Sequence, residues 1–350
     1  MVESKNGDIF YIYTGTHIKL QASVNTCTYT MAMDQIAHRF IQVSGLNLHV
    51  AEIGSESSPA VIFLHGFPEI WYTWRHQMIA VADAGFRAIA PDFRGYGLSD
   101  SPAEPEKATF TDLINDTASI LDSLAVSKAF VIGKDFGAIV AYPFALQHPH
   151  KVAGIVTLGL PFMPPGAFTH QFVLPEGFYP RRWQEPGRAE ADFGRFDVKS
   201  VVRNIYILFS QSELQIANEN QEIMDLVKPS TPLPSWFTEE DLETYAGLYE
   251  KSGFRTALQV PYRTMDMVGS EVEDPKVEIP TTVIMGEEDY VLKIPGMGDY
   301  IRNGEVKKYV PNQETIYVPR GSHFLPEQFP EKVNQLILNF IHRNKHLAVV

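Results

Sequence analysis

The sequence predicts an α/β protein with a mostly parallel central sheet, flanked by helices and interrupted by an inserted, mainly helical lid. Three observations indicate this class. Short β-branched and aromatic runs alternate with helical patterns in the first half of the chain. The alternation stops after Pro161, where segments rich in proline, aromatic residues and charge follow. The strand pattern returns near the end of the chain, so two separate parts are expected to complete one sheet.

The elements follow in order from the residue pattern. The predicted strands are FIQV and LNLHVAEIG, joined by a Ser-Gly turn, then AVIFLHG, RAIAPDF, AFVIG, GIVTLGL, TTVIMG and TIYVP. Helical stretches are predicted near residues 72–84, 110–124, 137–147 and 328–343, and the lid contains TEEDLETYAGLYEKSG. Short apolar runs that alternate with amphipathic helices are typical of a parallel sheet covered on both faces.

These patterns divide the chain into four parts. Residues 1–32 form an N-terminal extension that we expect to be poorly ordered and to have no catalytic role. It lacks the apolar core of a signal peptide and the arginines of a transit peptide. Residues 33–162 are predicted as the first part of the sheet domain, 163–268 as the helical lid, and 269–350 as the second part.

The composition is that of an ordinary globular protein, with 45% hydrophobic and 20% charged residues among 350. A formal net charge of −13 argues against general binding to nucleic acid or anionic membranes. No apolar run approaches the roughly 18 residues of a spanning helix, so membrane insertion is not expected. Cys27 is the only cysteine, which excludes an intrachain disulfide and a cysteine-based metal site and fits a cytoplasmic setting.

The stretch AFVIGKDFGAIVAYPFALQHP combines a strand-like run, a Gly-x-Asp-x-Gly motif and a helical pattern. This is the layout of the nucleophile elbow of α/β-hydrolases, where serine usually stands between the glycines. Here Asp135 occupies that position. A carboxylate is a poor nucleophile toward an ester, but it can displace a leaving group from saturated carbon and form an ester that water cleaves. Asp135 therefore indicates cleavage of a carbon–oxygen or carbon–halogen bond, unless it is simply a turn-forming residue.

Two further residues complete a predicted catalytic triad in the order nucleophile, acid, histidine. Asp289 follows the strand TTVIMG, and His323 follows the strand TIYVP and a Gly-Ser turn. Both therefore lie just past the carboxyl end of a strand, where open parallel sheets place their sites. Glu288 is the rival acid, and Asp289 is preferred because it occupies the G-x-x-D position.

The motif HGFPE closes the strand AVIFL and predicts half of an oxyanion hole. In this fold the loop after that strand supplies one backbone N–H, here assigned to Phe67. The N–H of the residue after the nucleophile, Phe136, supplies the other. The alternative is an ordinary strand-ending turn formed by glycine and proline.

Together these motifs resemble the soluble epoxide hydrolases of the α/β-hydrolase superfamily, in particular the plant-type cytosolic enzymes. The resemblance covers about residues 33–345 and rests on HGFPE, DFRGYGLSD, the aspartate elbow, GEEDYV and GSHF, and on the lid motifs FYPRRWQEPGRAEADF and SGFRTALQVPYR. It implies an α/β-hydrolase fold with a lid, or cap, domain. It also implies a small hydrophobic epoxide and water as substrates, with fatty-acid epoxides as one possibility, and no metal or organic cofactor.

The resemblance also assigns lid residues that the pattern alone does not single out. In the family two lid tyrosines hold the epoxide oxygen, and by motif position these are Tyr179 and Tyr262. A phenol is protonated at neutral pH, so it can donate to a developing alkoxide. Substrate contacts are expected from four residues of the quoted motifs: His65, Pro68, Phe136 and Trp183.

The implied reaction has two steps. Asp135 attacks an epoxide carbon while the lid tyrosines bond the ring oxygen, and water activated by His323 and Asp289 then cleaves the ester to give a vicinal diol. The chain departs from the family at the elbow, where Lys134 and Phe136 replace the usual histidine and tryptophan. Lys134 either favours the ionised form of Asp135 or pairs elsewhere.

Two alternatives remain at this point. A dehalogenase would use the same aspartyl ester, but it needs halide donors, often an indole after the nucleophile, which Phe136 cannot supply. A binding protein could keep the fold and its pocket without turnover, although the complete set of candidate groups argues against it. The oligomeric state is not indicated by the sequence.

Overall fold

The structure is a computed structural model that describes residues 33–167, 171–265 and 274–348. The predicted extension, residues 1–32, lies outside the described residues. Within the described part, one sheet contains eight strands. Their bounds are β1 Ala37–Val43, β2 Leu46–Ile53, β3 Ala60–Leu64, β4 Arg87–Pro91, β5 Ala129–Lys134, β6 Val152–Leu158, β7 Thr281–Gly286 and β8 Gln313–Val318.

The sheet is mostly parallel, as the sequence predicts. The strand order is β1-β2-β4-β3-β5-β6-β7-β8. The pairs β1/β2 and β2/β4 are antiparallel, and all other neighbours are parallel. Every residue of β3, β5, β6 and β7 is buried, whereas the edge strands β1 and β8 contain exposed or partly exposed positions. Central strands covered on both faces require the uninterrupted apolar runs seen in the sequence.

The helices lie between the strands, in one long insertion between β6 and β7, and after β8. Their bounds are α1 Arg75–Asp83, α2 Phe110–Ser123, α3 Phe136–Gln147, α4 Tyr179–Trp183, α5 Arg188–Phe193, α6 Val198–Phe209, α7 Glu239–Ser252, α8 Arg255–Leu258, α9 Met297–Arg302, α10 Leu325–Gln328 and α11 Pro330–Arg343. Shorter turns include the 3₁₀ turns Trp71–Trp74, Ile223–Leu226 and Tyr290–Lys293, and the π-turn Gln259–Arg263. Capping boxes begin α2 and α7, and proline begins α11.

Alternate residues of each central strand pack on opposite faces of the sheet. In β3, Val61 and Phe63 belong to the core that includes α1 and α11, whereas Ile62 and Leu64 belong to the core that includes α2 and α3. The second of these cores also includes residues of the insertion, so the insertion shares a core with α2 and α3. The helices of the insertion fall within the predicted lid, residues 163–268, whose exact boundaries stay a prediction.

A buried ionic network joins the insertion to the sheet domain. Arg75 of α1 donates to Asp241 of α7 and to Glu327 of α10, both at 2.8 Å. The hydroxyls of Tyr206 and Tyr245 also donate to Glu327, at 3.3 and 3.2 Å. Because Glu327 lies one turn beyond His323, this network fixes the lid against the loop that carries the predicted catalytic histidine. No described helix combines the length and apolarity needed to cross a membrane.

Candidate active site

The nucleophile elbow is present between β5 and α3. Asp135 has φ = 51° and ψ = −122°. Residues other than glycine rarely adopt a positive φ of this kind. The glycine at position 137 is required by close packing, because a Cβ there would lie 2.0 Å from the carbonyl oxygen of Leu64. At position 133 a Cβ would lie 2.5 Å from the carbonyl oxygen of Gly137. The Gly-x-Asp-x-Gly pattern therefore has a steric cause on both sides of the aspartate.

The three predicted triad residues lie together at the carboxyl ends of β5, β7 and β8. Nδ1 of His323 is 3.1 Å from each carboxylate oxygen of Asp289, and Nε2 is 3.4 Å from Oδ2 of Asp135. All three side chains are buried. The rival acid Glu288 is exposed, so the geometry favours Asp289.

Nε2 of His323 makes no aligned hydrogen bond to any described protein atom, although it lies near Asp135. Nδ1 faces the carboxylate of Asp289, which selects the tautomer with hydrogen on Nδ1 when the ring is neutral. In that tautomer the lone pair of Nε2 points toward the nucleophile side of the site. It is then available to take a proton from water.

The charges of the triad depend on one another. Burial lowers the pKa of His323, and the Lys134 charge lowers it further, but Asp289 and Asp135 outweigh both and raise that pKa to about 9. Burial raises the pKa of Asp135, but His323, Lys134 and the backbone N–H of Phe136 outweigh burial and lower it below its ordinary value. The free site therefore pairs a carboxylate with an imidazolium.

The predicted oxyanion groups lie beside the nucleophile. The backbone N–H of Phe67 donates to Oδ1 of Asp135 at 3.1 Å. The backbone N–H of Phe136 contributes a hydrogen bond that lowers the pKa of the same carboxyl group. These donors stabilise negative charge on an Asp135 oxygen, which is the requirement for an oxyanion hole in ester hydrolysis.

His65 has both ring nitrogens occupied by the backbone. Phe93 N–H donates to Nε2 at 3.0 Å, so Nδ1 carries the hydrogen and donates to the carbonyl of Gly66 at 2.8 Å. This arrangement holds the loop that presents Phe67. Pro68, which follows Phe67 through a cis peptide bond, is buried. The direct substrate contacts predicted for His65 and Pro68 stay predictions.

The lid closes the site with aromatic side chains. The Tyr262 ring packs against the rings of Phe67, Phe136 and Trp183 at centroid distances of 5.5, 5.2 and 5.1 Å. Tyr179 packs on Trp183 at 4.8 Å and on Tyr262 at 5.9 Å. The structure therefore brings both predicted lid tyrosines and the predicted substrate-binding residues Phe136 and Trp183 to the loops that flank Asp135.

The two lid tyrosines differ in their hydrogen bonds. The hydroxyl of Tyr262 is buried and has no partner among the described residues. The hydroxyl of Tyr179 lies 2.9 Å from that of Tyr290, a residue that the sequence analysis did not single out. Burial, followed by the charge of Asp135, raises the pKa of Tyr179. Burial and then the neighbouring Tyr179 and Asp135 raise that of Tyr262. Both phenols therefore stay protonated at neutral pH.

Lys134 pairs with Glu69 directly behind the nucleophile. Its Nζ lies 3.0 Å from the Glu69 carboxylate, and neither side chain is exposed to solvent. The ammonium also lies 4.9 Å from the ring centroid of Phe324, next to His323. Of the two predicted roles, pairing elsewhere is what the structure contains, yet the charge still lowers the pKa of Asp135. Glu69 belongs to the motif HGFPE, and no sequence pattern identifies it as the partner of Lys134.

A groove with an empty volume of about 240 Å³, partly open to solvent, lies beside Tyr179 and Tyr290, and Tyr262 does not line it. Two of its lining residues, Glu213 and Gln215, are polar and not aromatic. The others are aromatic or aliphatic: Phe178, Tyr179, Leu208, Phe209, Ile223 and Tyr290. Asp135 is not part of this lining. No group of three or more His, Cys, Asp or Glu side chains among the described residues is arranged to hold a metal ion.

Comparisons with known proteins agree with this site. The family described as alpha/beta hydrolase fold matches residues 59–330. Epoxide hydrolase 3 of Siraitia grosvenorii is 36% identical over 321 residues, covering 89% of this chain and 100% of that protein. The crystal structure of an epoxide hydrolase from Vigna radiata has a TM-score of 0.82 at 35% identity, covering 89% of this chain and 99% of that one.

The structure of epoxide hydrolase I of potato (Solanum tuberosum) gives a TM-score of 0.79 at 33% identity, covering 88% of this chain and 99% of that chain. The chain belongs to the epoxide hydrolases of the alpha/beta hydrolase fold. The family resemblance and the fold class predicted from the sequence are therefore confirmed, and neither the dehalogenase nor the non-catalytic alternative is favoured.

Proposed function

We propose that the chain hydrolyses a hydrophobic epoxide through a covalent ester on Asp135, with Tyr179 and Tyr262 as acids and His323 as base. The observation that carries this assignment is the contact set of Asp135. One carboxylate oxygen accepts from the Phe67 N–H at 3.1 Å, and the other lies 3.4 Å from the histidine bound to Asp289.

In the first step a carboxylate oxygen of Asp135 forms a bond to an epoxide carbon, and the bond from that carbon to the ring oxygen breaks. The electron pair of the broken bond leaves on the ring oxygen, which takes a proton from a lid phenol. The lowered pKa of Asp135 keeps the nucleophile ionised at neutral pH. No base is needed for this step.

In the second step His323 takes a proton from water, and the resulting hydroxide attacks the carboxyl carbon of Asp135. The N–H groups of Phe67 and Phe136 hold the oxyanion that forms. Its collapse breaks the bond between the carboxyl carbon and the alkoxy oxygen, the departing alkoxide takes the remaining proton of the attacking water, and the vicinal diol and the Asp135 carboxylate result. The proton held by His323 returns to the lid phenolate, so the cycle consumes only epoxide and water.

The histidine changes its state between the steps. The Asp135 carboxylate, 3.4 Å from Nε2, contributes to the raised pKa of His323. Ester formation removes that charge, so the pKa of the imidazole falls and the ring becomes a neutral base when the base is required. This order of events follows from a nucleophile and a base that lie 3.4 Å apart.

The substrate class follows from the walls of the site. The groove and the lid present mostly aromatic and aliphatic surface, which favours an epoxide with apolar substituents. The net charge of −13 and the single cysteine support a cytoplasmic location without nucleic-acid or membrane partners.

Intact-mass spectrometry after mixing with an aryl epoxide tests the assignment. Wild-type protein should form diol, and His323→Gln should gain the mass of one substrate on the peptide containing Asp135. Asp135→Ala should gain none. A single wild-type turnover in ¹⁸O-water should place the heavy oxygen in the Asp135 carboxylate. Direct labelling of the diol in that turnover would contradict the ester and make Asp135 a base.

A further inference from the structure

Tyr290 contacts both the catalytic triad, at His323, and the lid, at Tyr179. It follows Asp289 directly and begins the 3₁₀ turn that Asp289 caps by accepting from the Val291 N–H at 3.0 Å. Its ring lies 5.0 Å from the ring of His323, and its hydroxyl lies 2.9 Å from that of Tyr179. Only 3% of Tyr290 is exposed. A buried phenol held in this way has few orientations open to it.

We propose that Tyr290 is a positioning residue that donates a hydrogen bond to Tyr179 and so makes Tyr179 a stronger donor to the epoxide oxygen. The proposal rests on the proposed function, in which Tyr179 and Tyr262 bond that oxygen. It adds a third phenol to the site, and it makes the two lid tyrosines unequal.

The direction of the hydrogen bond follows from counting protons. Each phenol has one O–H to donate and lone pairs that accept. When Tyr179 donates to the epoxide oxygen, it has no proton left for Tyr290. The contact at 2.9 Å then persists only with Tyr290 as donor. A hydroxyl that accepts a hydrogen bond is polarised and donates a stronger one, so the chain from Tyr290 through Tyr179 to the substrate is cooperative.

The same bond acts when the ring opens. Tyr179 passes its proton to the alkoxide and becomes a phenolate, and a donor to a charged oxygen forms a stronger bond than a donor to a neutral one. Tyr290 therefore stabilises the state that follows proton transfer. Tyr262 has no corresponding donor, since its hydroxyl lacks a partner among the described residues. Loss of Tyr290 should consequently weaken Tyr179 alone.

Tyr290 also takes part in the aromatic packing around the groove. Tyr179 and Tyr290 both line it, together with Phe209, whose ring lies 4.4 Å from Tyr179 and 5.6 Å from Tyr290. The Tyr290 ring therefore also contributes packing surface. A Phe side chain at this position keeps that surface and removes only the hydroxyl, which makes Tyr290→Phe the informative substitution.

A double-mutant cycle on the single-turnover rate of ester formation tests the inference. Tyr290→Phe should slow alkylation about tenfold, the size expected for one lost hydrogen bond. In a Tyr179→Phe background the further change should have no effect, because the acceptor of the bond is gone. In a Tyr262→Phe background the slowing should persist. Decay of the ester should keep its wild-type rate in Tyr290→Phe, which a general disturbance of the site would not allow.

Tyr142→Phe is the matched control, because it removes a buried phenol of α3 whose hydroxyl lies 3.0 Å from that of Thr157 in β6. It should leave alkylation unchanged. Tyr290→Met, which also lacks the hydroxyl and places an apolar side chain there, repeats the cycle if the Phe variant does not fold. Equal slowing by Tyr290→Phe with and without the Tyr179 hydroxyl would overturn the inference, since Tyr290 would then act independently. Absence of any ester in wild-type protein would instead overturn the proposed function.

Discussion

The sheet domain and the lid supply opposite kinds of chemistry to one site. The sheet domain brings charge: Asp135, Asp289 and His323 stand at strand ends, and Lys134 and Glu69 form an ion pair behind them. The lid brings neutral phenols, which burial keeps protonated. The charged groups are held by backbone geometry and ionic contacts, whereas the phenols are held mainly by aromatic packing.

The difference matches the two ends of the bond that breaks. The nucleophile needs a fixed negative charge, which strand ends, backbone N–H groups and a buried lysine can maintain. The leaving oxygen needs a proton only after its bond to carbon weakens, so a neutral donor of high pKa suits it. We therefore expect changes to His323 and Asp289 to affect ester hydrolysis, changes to the Lys134–Glu69 pair to affect stability, and changes to the lid phenols to affect ester formation.

Asp289→Asn should produce the largest separation of the two steps. The amide of asparagine can donate to Nδ1 of His323, which would place the ring hydrogen on Nε2 and leave no lone pair for water. Ester decay should fall by roughly 10⁴-fold, and ester formation should continue. Glu288→Gln is the matched control, because the neighbouring carboxylate is exposed and should be dispensable. Rapid mixing followed by mass measurement reads both rates. Similar losses in both variants would contradict the assignment of the acid.

Lys134→Met should mainly reduce stability. It leaves the carboxylate of Glu69 buried without its cation, a change that typically costs about 3–5 kcal/mol. Adding Glu69→Gln removes the unpaired charge and should recover much of that loss. Urea denaturation of wild-type, single and double variants measures the free energy of unfolding. A double variant as unstable as the single one would show that shape, and not the buried charge, decides the stability here.

Replacing the lid phenols should slow ester formation selectively. Loss of a donor in an oxyanion-type site costs on the order of 10²–10³ in rate. Tyr179→Phe and Tyr262→Phe should each approach that range, because each removes one of the two donors to the epoxide oxygen, and the Tyr179 change should be the larger if Tyr290 strengthens that donor. The double variant should nearly abolish alkylation while any ester formed still decays normally. Single-turnover kinetics distinguish the steps, and near-normal alkylation in the double variant would refute the lid assignment.

The sequence predicted the sheet domain's half of the site more completely than the lid's half. Strand runs and glycine spacing carry local signals, so β5, the elbow and the order Asp135, Asp289, His323 could be identified from the residues. The short helices of the lid lack such signals, and Tyr179 and Tyr262 were chosen by family resemblance. The contact of Tyr290 with Tyr179 joins residues 111 apart in sequence, and no local pattern encodes it.

The Lys134–Glu69 pair shows the same limit within the sheet domain. The sequence places a lysine in a buried strand end and a glutamate in the HGFPE loop, 65 residues apart. Pairing a buried lysine with a partner is expected, since an unpaired charge there is very costly. Which carboxylate pairs with it depends on the parallel pairing of β3 and β5, which brings their carboxyl ends side by side. The partner therefore becomes identifiable only once the sheet order is known.

The pH dependence of ester decay gives the smallest and sharpest expected effect. In the free enzyme the pKa of His323 is raised to about 9, because the carboxylates of Asp289 and Asp135 outweigh burial and the Lys134 charge. Hydrolysis requires the neutral imidazole, so its rate should rise with pH up to the pKa of His323 in the esterified enzyme and then level off. Esterification removes the charge of Asp135, so the inflection should lie below about 9. Raising the pH through the neutral range should therefore accelerate decay by no more than about tenfold per pH unit, as expected for one titrating group.

Ester formed at one pH and transferred by rapid mixing to others provides the measurement, with Glu288→Gln as a control that should reproduce the wild-type curve. An inflection at or above the free-enzyme value would mean that Asp135 does not raise the pKa of His323, and that the two catalytic steps are not coupled through their shared contact.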